Sequence, residues 1–148
     1  RPYLWVVRSN NRDDGFDDAG DERGMVVGWC DQVRVLSHPA VGCFVTHCGW
    51  NSTLETVEAG VPMVAWPLYA DQRMNAVILS ADRVGLALWE RPPLGKDRAV
   101  VPREELTALV RELMEGEKCV VARKMVGHLR MRLRLLRRQA GRRIELSR

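Results

Sequence analysis

The feature that most constrains this 148-residue chain is a pattern met twice in close succession: a short apolar run, a turn, and a helix signal. "VGCFVTH" (residues 41–47) leads through Gly49 into "STLETVEA", read as a helix over residues 52–59 with Gly60 as its stop; "MVAWP" (residues 63–67) leads to Asp71, which can cap a helix running to about Ala81. Continuous apolar runs this short fit strands covered on both faces, and strands separated by helices pair in parallel. The rest of the chain extends the pattern. "YLWVV" (residues 3–7), "MVVGW" (25–29) and "LALW" (86–89) read as further buried strands, and Asp31 caps a short helix over residues 32–36. In "VPREELTALVRELMEG", Pro102 stands in the first turn and Gly116 at the stop, while Leu106, Leu109, Val110, Leu113 and Met114 line one helical face. "SNNRDDGFDDAGDERG" is a polar, flexible loop. The expected class is α/β, a Rossmann-like parallel sheet with helices on both faces.

Composition narrows the function classes. With 46% hydrophobic residues the chain can bury one core. No apolar stretch approaches the ~20 residues of a membrane-spanning helix; the most apolar region, "GVPMVAWPLYA", is broken by Pro62 and Pro67. No signal peptide is visible, and Cys30, Cys43, Cys48 and Cys119 lack the spacing of a secreted disulfide framework, so reduced thiols in a cytoplasmic protein are expected. The net charge of +4 is uneven: residues 117–148 hold eleven Lys/Arg against two Glu, and residues 1–116 are net acidic. The chain therefore divides into a domain over 1–116 and a basic C-terminal helix or tail over 117–148. In the tail, Arg130, Arg132 and Arg134 alternate with Met131, Leu133 and Leu135, a strand-like pattern in a helix-favouring composition, so its element type stays open. A solvated, poorly ordered run is expected there, with no nucleic-acid partner. The chain opens directly on an apolar strand at Arg1 without Met and reads as an internal piece of a longer protein.

In parallel sheets, ligands bind outside the carboxyl ends of the strands. Loops beginning at Trp29, His47, Pro67 and Glu90 share that edge. In "HCGWNST" (residues 47–53), a helix N-terminus would point N–H groups and a partial positive charge at an anion, with Gly49 permitting close approach and His47, Asn51 and Ser52 adding side-chain groups. Ser52 and Glu55 equally fit a capping box that needs no ligand. Trp29 can stack on a flat base or belong to a core. Asp71 and Gln72 suit sugar hydroxyls, although Asp71 alone is an ordinary N-cap. Cys43, His47 and Cys48 form a weak zinc grouping without a second ligand pair.

Residues 29–72, "WCDQVRVLSHPAVGCFVTHCGWNSTLETVEAGVPMVAWPLYADQ", resemble without a gap the signature box of plant UDP-dependent glycosyltransferases of small-molecule metabolism, and "YLWVVR" and "RMNAV" fit its flanks. The resemblance implies the C-terminal, donor-binding domain of a GT-B type fold, incomplete here: the N-terminal domain, with the family's catalytic His and Asp, and the strand carrying a Gly-Ser phosphate loop are absent. It implies that Trp29 stacks on uracil and the backbone of Cys30 pairs with the base edge. Gln32 and Glu55 would hold the ribose, and His47, Asn51, Ser52 and backbone near Gly49 the diphosphate. Trp50, Asp71 and Gln72 would face the sugar, with Gln in the last place associated with glucose. Asp31 departs from the family's usual Pro. The implied activity is inverting transfer from UDP-glucose to small hydrophobic acceptors of phenolic or flavonoid type, with no catalytic residue in this chain, no metal and no cofactor beyond the donor. The expected partners are a UDP-sugar and a small acceptor, and the full-length protein is expected to be a monomer. The alternative is a non-catalytic UDP-sugar binding module left by truncation.

Overall fold

The computed structural model describes residues 2–7, 23–80 and 101–146, with side chains through residue 140. The strand expected over residues 86–89 and most of the polar loop lie outside the described residues. Two compact units are formed, Arg1–Val35 and Leu36–Arg148.

In the first unit, β1 (Tyr3–Val6) and β2 (Gly24–Val27) pair in parallel, Tyr3 opposite Gly24 and Val6 opposite Val27. The expected burial of this strand is not found. Every residue of β1 is exposed, and only the following Val7 is buried. Two strands of four residues offer too little area to cover both faces of their own ladder. The helix α1 (Gln32–Leu36) forms where the sequence places it, because the Asp31 carboxylate accepts a hydrogen bond from the Arg34 N–H at 3.0 Å.

The second unit contains β3 (Phe44–Thr46), α2 (Trp50–Ala59), β4 (Met63–Ala65), α3 (Gln72–Ser80), α4 (Arg103–Glu115) and α5 (Glu117–Leu146). β3 and β4 are parallel, Phe44 opposite Met63 and Thr46 opposite Ala65, joined by α2 as the crossover. The three residues of β4 are fully buried and sort to two cores by strand alternation. Met63 and Ala65 pack with Cys48, Val57, Ala76, Leu79 and Val126; Val64 packs with Leu113 and Ala122. Helices thus cover both faces, as the continuous apolar runs require, each fully buried large side chain contributing about 1.5–3 kcal/mol.

The start of α2 differs from the sequence reading. α2 begins at Trp50 with Gly49 as N-cap, so Ser52 lies in the first turn and is not the cap, and Glu55 stands too far along for a capping box. The C-terminal stop is as expected: Gly60 adopts φ 76, ψ 30 and returns its N–H to the Thr56 and Val57 carbonyls. The basic segment is one helix. Cys119, Ala122 and Val126 are buried, and Leu129 and Leu133 pack with Val126 on the Met63–Ala65 core, a helical stripe that begins before the Arg-rich alternation. Arg137 of α5 pairs with Glu58 of α2 at the surface.

Candidate functional site

The second unit carries two turns at the carboxyl ends of β3 and β4, each leading into a helix. In the first, the chain leaves Thr46 and reverses at Cys48, which has φ 65, a left-handed conformation that costs a non-glycine residue roughly 1–2 kcal/mol. Cys48 is fully buried. Its N–H donates to Thr46 Oγ1 at 3.2 Å, its thiol reaches the Thr46 carbonyl at 3.6 Å, and its own carbonyl accepts from Asn75 Nδ2 at 3.0 Å. With Cys48 anchored inward, His47, Trp50 and Asn51 are exposed.

The His47 ring folds back over the helix start: a Cβ on Gly49 would collide with His47 Nε2. The first intrahelical bond of α2 runs from the Thr53 N–H to the Gly49 carbonyl, and the N-cap, Gly49, has no side chain with which to cap the terminus. A ten-residue helix thus presents its positive end beside an imidazole, an arrangement suited to an anion.

In the second turn, Ala70 is also left-handed, with φ 51. Gln72 is 5% exposed, and its Oε1 accepts from the Leu68 and Tyr69 N–H groups at 2.9 and 3.1 Å. The carbonyl half of the amide therefore clamps the turn, and the NH2 half takes no part in that clamp. Asp71 is exposed; its backbone carbonyl receives the Asn75 N–H at 3.0 Å, opening α3, and its Oδ2 accepts from Asn75 Nδ2 at 3.3 Å. Consecutive positions thus carry a carboxylate acceptor, exposed at Asp71, and an amide, buried at Gln72, the group types that hydroxyl recognition uses.

Burial pushes the Cys48 thiol up to about 11 and the Cys43 thiol up to about 12. Both are protonated at neutral pH. Among the described residues no group of three His, Cys, Asp or Glu side chains could hold a metal ion. The four cysteines are unpaired thiols, and no described helix is long and apolar enough to cross a membrane.

In the first unit, Trp29 stands two residues beyond β2 and is 79% exposed, more than any other large apolar side chain among the described residues. Cys30 and Gln32, around the Asp31 cap, are partly buried.

The family described as UDP-glucoronosyl and UDP-glucosyl transferase matches residues 2–93. The chain belongs to this family. UDP-glycosyltransferase 72B3 of Arabidopsis thaliana is 44% identical over 148 residues, covering 86% of this chain and 30% of its own length. Phytolacca americana UGT2, solved with UDP-2fluoro-glucose and pterostilbene, superimposes with a TM-score of 0.72 at 44% identity, covering 87% of this chain and 29% of that one. A Polygonum tinctorium UDP-glucosyltransferase capable of glucosylating indoxyl, solved with 3,4-dichloroaniline, gives 0.74 at 43% identity, covering 88% and 30%. The chain thus spans about 30% of the length of these UDP-glycosyltransferases. The likeness accords with the α/β architecture and with a GT-B type fold.

Within this UDP-glycosyltransferase segment, the structure places His47, Gly49, Trp50, Asn51 and Ser52 on one turn and Asp71 and Gln72 on the next, with Glu55 one turn into α2. Sequence reasoning missed the residues that hold those turns. In the sequence Thr46 and Asn75 carry no functional signal of their own, and Cys48 reads only as a reduced thiol and as a member of the zinc grouping. A polar Asn75 between Met74 and Ala76 in an otherwise apolar helix stretch was the available signal.

Proposed function

We propose that this chain supplies the donor-binding half of an inverting, UDP-glucose-dependent glucosyltransferase of small phenolic or flavonoid-type acceptors. The observation that carries the reading is the N-terminus of α2, N-capped by glycine, with the His47 imidazole folded over Gly49. That anion site takes the diphosphate, together with Asn51 and Ser52. Asp71 and Gln72 take the hydroxyls of glucose, with Trp50 beside them. Glu55 holds the ribose; for the first unit, taken by itself, the family resemblance alone supports Gln32 for ribose, Trp29 for stacking on uracil and the Cys30 backbone for the base edge.

In the reaction, an acceptor oxygen attacks the anomeric carbon as the bond to the β-phosphate oxygen breaks and its electron pair leaves with UDP. The acceptor's proton passes to a base outside this chain. The helix terminus and His47 stabilise the charge growing on the diphosphate, the electrostatic share of catalysis. The acceptor class is supported by the pterostilbene and indoxyl named for the two solved relatives.

Calorimetric titration of the purified chain with UDP, UDP-glucose and UDP-galactose tests the donor reading. Saturable binding of UDP and UDP-glucose, with UDP-galactose weaker, is the expected result; no binding of any of the three refutes it. Incubation of the chain with UDP-glucose and a phenolic acceptor is expected to give little or no turnover, because the base lies outside it; turnover by this chain alone would make it a complete transferase.

A further inference from the structure

The two rim turns contain the only non-glycine residues with positive φ among the described residues, Cys48 and Ala70. Conformations of this kind persist where surrounding contacts over-determine them. The Ala70 turn is clamped from within by Gln72 Oε1. The Cys48 turn is held on one side by Thr46 Oγ1 and on the other by Asn75, which reaches it from α3, 27 residues away.

Asn75 is 7% exposed, and its nitrogen meets two acceptors, the Cys48 carbonyl at 3.0 Å and Asp71 Oδ2 at 3.3 Å. Because both partners can only accept, the amide has one orientation. The Asp71 bond is also unusual in kind. From the N-cap position a carboxylate commonly takes a backbone N–H of the first turn, yet here it takes a side chain that simultaneously grips the neighbouring turn. One buried nitrogen therefore ties the turn that leads into the α2 N-terminus to the carboxylate of the adjoining turn.

We infer that Asn75 is a positioning residue for donor binding: it sets the spacing between the anion site at residues 47–52 and the Asp71 carboxylate, without touching the donor. The inference rests on the donor reading above. Asn75 fixes the otherwise exposed Asp71 side chain before a sugar arrives, so hydroxyl recognition carries less ordering cost, while a ligand that lacks the sugar depends on Asn75 only through the Cys48 turn.

A double-mutant cycle on this chain tests it, read by calorimetric titration with UDP and with UDP-glucose. Asn75→Leu is expected to raise the Kd for UDP-glucose about tenfold, the scale of a lost buried hydrogen bond, and that for UDP by about threefold. Asp71→Asn is expected to weaken UDP-glucose by about tenfold. The double variant should lose well short of the hundredfold that independent sites would give, because Asp71 is already unmoored. Asn75→Ser, which keeps one hydroxyl donor, should recover part of the loss. Equal weakening of both ligands, additive losses in the cycle, or an unchanged Kd in Asn75→Leu would overturn the inference while leaving the donor reading intact. Loss of the folded state in both Asn75 variants, followed by circular dichroism, would make Asn75 a residue of the core and overturn it equally. Failure of the unsubstituted chain to bind either ligand removes the donor reading, and this inference with it.

Discussion

The His47 imidazole lies against the α-carbon of Gly49, with Nε2 in the space a Cβ would fill. Gly49 itself adopts φ −62, ψ 145, which alanine takes without strain, so the glycine is needed for room and not for backbone freedom. Gly49→Ala should displace the imidazole from the α2 terminus and weaken UDP binding by about 1–2 kcal/mol, the scale of a charge or strong hydrogen bond at a helix end. Calorimetry on Gly49→Ala, His47→Ala and the pair checks this: the double variant should bind no more weakly than His47→Ala alone.

Glu55 separates ligand binding from capping. Since Gly49 is the N-cap, Glu55 lies beyond the reach of a capping box. Glu55→Ala should weaken UDP by about 1.5–3 kcal/mol, the range for charged hydrogen bonds, and change unfolding stability by no more than about 0.5 kcal/mol. Paired titration and chemical denaturation measure both quantities. Lower stability with unchanged UDP affinity would assign Glu55 a structural role.

How much of this was legible beforehand differs between the elements and the turns. The β3–α2–β4 crossover followed from apolar runs punctuated by Gly49 and Gly60, because strand length and helix stops are local properties. The Asp31 cap and the α4 stripe were legible for the same reason. The start of α2 was not: "NSTLE" offers Ser52 as a good cap, but the left-handed Cys48 turns the chain early and hands the role to Gly49. The same tertiary origin hides Asn75, whose partner at Cys48 is distant in sequence. The basic segment was ambiguous because the Arg–Leu alternation hides the stripe that Cys119, Ala122 and Val126 begin. β1 carries strongly apolar residues yet stays exposed, since periodicity specifies pairing and not what covers the pair.

Cys48 should leave a signature in alkaline stability. Burial raises its thiol from the ordinary 9.0 to about 11, so the neutral form is favoured in the folded state. That stabilisation is complete below pH 9 and is lost as pH rises toward 11, with a slope of about 1.4 kcal/mol per pH unit for one proton. Urea denaturation between pH 8.5 and about 10.5 should show a stability decline that is shallower by roughly that slope in Cys48→Ala.

Gly60 provides a stability test away from the rim. At φ 76 a side chain is strained, and an added Cβ would press on the Arg130 guanidinium at 3.2 Å. Gly60→Ala should cost about 1–2 kcal/mol in unfolding free energy and leave UDP affinity within about twofold of the original.

On the proposed donor reading, the turn at residues 47–52 and the turn at residues 68–72 grip one nucleotide sugar. Titration of the 15N-labelled chain with UDP-glucose, followed by amide NMR, tests it most directly. The Gly49, Asn51 and Ser52 amides and those of Asp71 and Gln72 should shift together along one binding curve, and UDP should move the first set far more than the second. Shifts confined to one turn, or two curves with unrelated affinities, would contradict it.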